Sequence, residues 1–285
     1  MPMQRTITTE ALGFETTDAG WRKIVGGRTI DFRRIRTQAD FAGCERLQRE
    51  VFGVTETDLA SFSIMVMIPK TGGEVLGAFD SERMVGYIQG YGGYIDRQPR
   101  LISDLMAVEP AYRGGLGYAL KTLQAAVTLT AGFSEMVWTV DPLRAANARL
   151  NFERLGAVCH DYVENLYGED FAGGLYGGLP SDRLVVSWPL ESDRVATRLL
   201  EPYTPLSLND AASLPDYMSN LTGTARLAIP TDIDAILDLD PAAARNWRFR
   251  LRSSLHDAFA RGYAITGFAG QRDAEVGYYV LERDG

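Results

Sequence analysis

Apolar positions change period along this chain, and each change marks an element. From Arg28, RTIDFRRIR alternates: Ile30 and Phe32 are apolar and Ile35 follows after a slip, which predicts a strand. Phe41, Cys44, Leu47 and Val51 then recur at helical spacing within 39–52. EVLGAFD and MVGYIQGYGGYI read as two strands joined by a tight hairpin at Ser81–Arg83. The glycines of the second predict a bulge or a close backbone approach. LISDLMAV is a further strand ending at Glu109–Pro110. In YRGGLGYALKTLQAAVTLTAG, Leu116, Ala119, Leu120, Leu123 and Val127 form one apolar stripe, with Lys121, Gln124 and Thr128 off it. That helix stops at Gly132. EMVWTV is a strand, Asp141 a helix N-cap and Pro142 a first helical residue. The helix runs to Leu155 with Gly156 as its stop. AVCHDYVENLY and RLVVSWPL are strands joined by a glycine-rich loop.

Beyond Pro189 the texture changes. ESDRVATRLLE predicts a short helix, 201–222 reads as loop, RLAIP as a strand, 242–261 as a helix, and GYAITGFAG and EVGYYVLE as closing strands. Residues 1–27 are polar and Thr-rich and read as a loose leader or a tail that packs late. The division expected is 1–27 leader, 28–190 main domain and 191–285 C-terminal α/β region. A length of 285 residues agrees, since about 150 residues make a domain.

Composition narrows the classes. Apolar residues at 46% and charged at 23% fit a globular chain. A net charge of −8 argues against nucleic acid as partner, because no cationic excess exists to displace phosphate counterions. Two cysteines, Cys44 and Cys159, with no CxxC, exclude a zinc ribbon or redox dithiol, and two histidines argue against a multi-His metal site. No stretch approaches the roughly 20 apolar residues of a membrane span, and no signal-peptide core opens the chain. A cytoplasmic protein without metal is expected.

The chemistry concentrates where a strand meets Pro110 and the turn Tyr112–Gly117 before a helix. A helix N-terminus leaves main-chain N–H groups unpaired and partially positive, and glycines let a phosphate come close. Arg113 adds a fixed charge. The alternative is that Gly114, Gly115 and Gly117 only make a tight turn. Neither GxxxxGK[ST] nor GxGxxG is completed, and GxSxG is missing. Asp104 lies among the apolar residues of LISDLMAV, facing with Ile102 and Met106 and opposite Leu105, and is either a functional carboxylate or a paired one. Arg245, Arg248 and Arg252 share one side of the last helix and either meet a carboxylate or form ion pairs, while Trp247 reads as core.

Val108, Pro110, Tyr112, Arg113, Gly114, Gly115 and Gly117 together resemble the V-x-P-x-Y-R-G-x-G-x-G segment of the GNAT family of acyl-CoA-dependent N-acyltransferases. The element order from Arg28 to Pro189 is similar as well. WTVDPLRAANARLNFERLGA, Tyr162, Tyr167–Gly168, Leu179–Arg183 and the C-terminal NWRFRLR…GYAITGF…GYYVLER resemble one bacterial subgroup of that family. Two departures stand out: the turn is one residue shorter than usual, and Phe152 replaces a tyrosine that in many members protonates the leaving thiolate.

The resemblance implies an α/β (α+β) fold, a mixed and mostly antiparallel sheet flanked by helices, with a smaller C-terminal α/β region. It implies acetyl-CoA or another acyl-CoA bound along Met106, Ala107 and Val108, with its pyrophosphate on Arg113, Gly114, Gly115, Leu116, Gly117 and Tyr118. Asn147 would bond the pantetheine amide. A main-chain N–H within 105–108 would polarise the thioester carbonyl. An amine would attack directly, with Asp104 as base and Tyr167 or Tyr162 as acid. The donor is acetyl or succinyl, and the acceptor a small amine such as an amino acid. A homodimer stays open. The competing reading is a non-catalytic CoA-binding or scaffold protein on the same fold.

Overall fold

The computed structural model describes residues 6–56, 58–168, 177–217 and 223–283. The chain divides into two units, residues 1–138 with 189–201, and residues 139–188 with 202–285. The boundary therefore falls inside the stretch 28–190 that the sequence reads as one domain.

The first unit holds β1 (Glu15–Thr17), β2 (Gly20–Val25), β3 (Arg28–Arg34), α1 (Gln38–Phe52), α2 (Phe62–Met65), β4 (Glu74–Asp80), β5 (Arg83–Ile95), β6 (Gln98–Val108), α3 (Leu116–Thr130) and β7 (Glu135–Val140) up to Trp138. The strands lie side by side in chain order. Every pairing is antiparallel except β6 with β7. Of the two readings of the leader, its described strands agree with the packed one: β1 and β2 pair with each other and β2 with β3, so they extend the sheet. Their polar sequence hides this because Trp21 is the only buried side chain of the two strands.

α1 starts where Thr37 accepts a hydrogen bond from the Asp40 N–H and ends at left-handed Gly53. Its apolar side, with Phe41, Cys44 and Leu47, packs with Met65, Ile68, Tyr87 and Ala107 into one core. Burying each such aliphatic side chain contributes about 1.5–3 kcal/mol. Gln48 is fully buried yet satisfied, since its amide pairs with both main-chain groups of Ala60 and pins the chain after α1. Cys44 is a buried free thiol in the same core.

The second unit holds α4 (Ala145–Ala148), which continues as a π-helix over Arg149–Arg154, then β8 (Val158–Val163), β9 (Arg183–Pro189), α6 (Leu208–Ser213), β10 (Ala225–Pro230), α7 (Ile233–Leu239), α8 (Pro241–Ala260), β11 (Tyr263–Ala269) and β12 (Val276–Arg283). α5 (Asp193–Leu200) belongs to the first unit. The strand order is β9-β8-β11-β12-β10, all antiparallel. α8 packs on β8, β10 and β11. Asp141 does not cap α4, which begins after Arg144. Its carboxylate instead accepts from the Leu143 N–H and pairs with both terminal nitrogens of Arg248 at 2.9 Å.

Candidate functional site

The register of β6 decides what its edges present. Gln89 pairs with Leu105 and Gly90 with Ser103, so Asp104 is the extra residue of a β-bulge. Alternation therefore breaks at Asp104. Met106 faces α3, because a Cβ on Gly117 would lie 3.3 Å from its Cε, whereas Leu105 packs against the α1 core. Asp104 does not share a face with Met106, as simple alternation predicts. It is exposed and accepts a 2.6 Å hydrogen bond from Gln89 Nε2, on the side of Leu105.

Main-chain direction follows from the same register. The Glu109 N–H donates to the Val85 carbonyl at 3.0 Å, so antiparallel alternation turns the main-chain groups of Ala107 toward β5. Those of Met106 and Val108 point to the opposite edge. There β7 pairs only through Leu101 with Met136 and Ile102 with Val137. Past Ile102 that edge of β6 carries donors and acceptors that β7 does not take up. An extended amide-bearing arm fits such an edge as an added strand would.

Immediately beyond Val108, Pro110–Tyr112 form one 3-10 turn and Gly115 takes φ 130° as the N-cap of α3. Ala119 is the first residue of α3 whose N–H returns to the cap, bonding the Gly115 carbonyl at 3.0 Å. The N–H groups of Gly114, Leu116 and Gly117 have no such partner among the described residues. Arg113, Gly114 and Gly115 are exposed, Gly117 and Tyr118 are half-buried, and Leu116 anchors the helix in the core. A Cβ on Gly114 would meet nothing within 4 Å. Gly117, by contrast, has a packing reason to be glycine, its closeness to Met106.

The remaining predicted residues lie in the second unit. Asn147 is exposed on α4, while Asn151, four residues on and so expected on the same face of an α-helix, is buried in the π-helix. Tyr167 is 45% exposed and its Oη shares a 3.2 Å hydrogen bond with Thr139 Oγ1. Tyr162 is unsuited as an acid: it is buried, it donates to Asp182 at 2.6 Å, and burial together with that carboxylate pushes its pKa up. Arg248 and Arg252 form ion pairs, the first with Asp141, the second with Asp182 and Glu164. Arg245 is exposed and lies over Phe249. Trp247 is half-buried rather than core. In the first unit, Glu109, just past β6, is held by Arg46 and Arg83.

One group escapes the apolar pattern altogether. Lys121, Gln124 and Thr128, off the stripe of α3, are all buried. Lys121 Nζ donates to Ser103 Oγ at 2.8 Å, which donates in turn to Gln124 Oε1 at 2.8 Å. Burial drives the Lys121 ammonium well below its ordinary pKa. No sequence signal marks this, because a lysine off a stripe reads as solvated.

Among the described residues no group of three or more His, Cys, Asp or Glu side chains is arranged to hold a metal ion, and no helix is long and apolar enough to cross a membrane.

No protein-family model matches the sequence, and no curated protein matches it. Solved structures do. A proposed acetyltransferase of the GNAT family from Desulfovibrio desulfuricans is 19% identical, with 56% of this chain and 99% of that one covered at TM-score 0.46. A proposed acetyltransferase from Salmonella typhimurium, solved with its cofactor acetyl-CoA, is 20% identical over 56% and 94% at 0.47. The ribosomal-protein-S18-alanine N-acetyltransferase of Escherichia coli is 16% identical over 56% and 94% at 0.45. It is the residues of β6 and of the turn before α3 that carry a functional reading. Over 56% of its length, then, the chain is similar to solved acetyltransferases, among them GNAT-family members.

Proposed function

We propose that the protein is an acyl-CoA-dependent N-acyltransferase that moves an acetyl group, or a succinyl group, to a small amine such as an amino acid. The observation that carries this is the edge of β6. Main-chain groups of Met106 and Val108 face away from β5, and β7 has already ended its pairing at Ile102. An amide-bearing pantetheine arm satisfies such groups, and the next residues supply what its pyrophosphate needs: Arg113 and the N–H groups at the head of α3.

The chemistry then follows. A main-chain N–H beside the bulge donates to the thioester oxygen and stabilises the negative charge that develops there. The neutral amine attacks the carbonyl carbon, the C–N bond forms and the C–S bond breaks. Asp104, exposed and oriented by Gln89, takes the ammonium proton directly or through water. The thiolate leaves as such. Phe152 cannot serve as the acid, since its ring carries no dissociable proton; it is packed in the core against Tyr279. Acetyl is the simpler donor, since Arg248 and Arg252 already have carboxylate partners. The protein would act as a soluble cytoplasmic enzyme without metal.

Thiol release measured over a panel of acyl-CoAs and amines tests this. Turnover with one pair is the expected result. Tight CoA binding with no turnover on any amine would favour the non-catalytic CoA-binding reading.

A further inference from the structure

Ser103 and Trp138 are the first residues past the last registered pair of β6 and β7, Ile102 with Val137. Lys121 Nζ reaches both. It is 2.8 Å from Ser103 Oγ and 3.6 Å from the centre of the Trp138 ring. The amine thus sits where the two strands part, and it is 4% exposed. Among the described residues no carboxylate pairs with it. Gln124, which accepts from Ser103 Oγ, is 1% exposed, and its Nε2 has no partner. Packing a core here would call for leucine. A buried amine and a buried amide in its place cost free energy that a structural role does not require.

We propose that Lys121 is the positioning residue of the thioester slot. Through Ser103 it fixes the point where β6 leaves β7 and the bulge at the next residue, so that the main-chain N–H beyond Asp104 is aimed at the thioester oxygen. This rests on the acyl-CoA reading above. Ser103 immediately precedes the bulged residue, so a hydrogen bond that sets its side chain also sets the peptide on which the bulge turns. Burial lowers the pKa of the amine and so disfavours its charged form, which suits a slot that must receive an uncharged arm and an uncharged thioester. Trp138 closes the other side of the amine with a ring face, to which N–H groups are attracted.

The test is isotope-edited infrared spectroscopy of carbonyl-labelled acetyl-CoA bound to the parent protein, to K121M and to S103A, with each affinity measured by calorimetry. No acceptor amine is needed. The parent should shift the carbonyl stretch to lower frequency than in free acetyl-CoA. Both variants should lose most of that shift while their affinity for acetyl-CoA stays within about threefold, and the double variant should be no worse than either single one. Parent-like shifts in both single variants would overturn the proposal and leave the acyl-CoA reading standing. So would an affinity lost in parallel with the shift, or effects that multiply in the double variant, since either marks a merely structural role. A parent protein that does not bind acetyl-CoA would overturn both. S103A, a smaller change in the core, keeps the test decisive if K121M does not fold.

Discussion

Gly117 of α3 lies against Met106 of β6, so closely that a Cβ on the glycine would come within 3.3 Å of the methionine Cε. The contact seats the helix on the strand and places the head of α3 directly beyond the free edge of β6. It also sorts the three glycines of the turn. Gly115 needs its φ of 130°, Gly117 lies close against the end of the Met106 side chain, and Gly114 has neither constraint. Gly114→Leu should therefore leave the melting temperature within about 2 °C of the parent. CoA affinity should fall at least tenfold by calorimetry, because the side chain enters the space left to the pyrophosphate. Gly115→Ala should instead cost about 1–3 kcal/mol of stability in denaturant titrations.

Asp104 is exposed and held by a single side-chain contact with Gln89. As the base for the attacking amine, its replacement in Asp104→Asn should lower kcat by about 10²–10⁴-fold at neutral pH. Calorimetry should show CoA affinity unchanged, since the residue faces away from Met106. An unchanged kcat would assign the proton to water or to another group.

Lys121 makes stability depend on pH in a defined sense. Burial depresses its pKa in the folded protein well below the ordinary 10.5. Between those two values the unfolded chain holds a proton that the folded one does not, so stability from this group rises with pH, by at most about 1.4 kcal/mol per unit. The gain ends above 10.5. In Lys121→Met that contribution is gone. Urea midpoints from pH 7 to 9.5 should move toward the parent relative to the variant as pH rises. Parallel profiles would mean the lysine is charged in the fold.

Arg248 and Asp141 are 1% and 5% exposed at their side chains and meet through two 2.9 Å hydrogen bonds. Removing one leaves the other charge buried and uncompensated. Arg248→Met alone should cost about 3–5 kcal/mol in denaturant titration. Arg248→Met with Asp141→Leu should recover much of it. Equal losses in the single and double variants would show that the pair matters through packing alone.

The sequence was readable where one face of an element is buried and the other wet. β3, α1 and α8 show that contrast, and each stands close to where its pattern puts it. α7 escaped because only Ile233 of its seven residues is buried, and α6 because Ala211 is its only buried residue. The bulge at Asp104 is a displacement of one residue against a partner strand, which no periodicity within β6 records. The π-helix over Arg149–Arg154 likewise shifts Asn151 into the core without altering the spacing of letters. Of the predicted site, the turn and β6 lie together in the first unit, whereas Asn147 and Tyr167 belong to the second. Lys121 was hidden because burial of a charged side chain depends on what surrounds it, here Ser103 and Trp138.

The most direct measurement is a crystal structure with CoA bound. The account predicts pantetheine amides hydrogen-bonded to the main chain of Met106 and Val108, with the pyrophosphate against the N–H groups at the head of α3 and beside Arg113. CoA bound elsewhere, or an edge of β6 taken up by another segment of the protein, would contradict it.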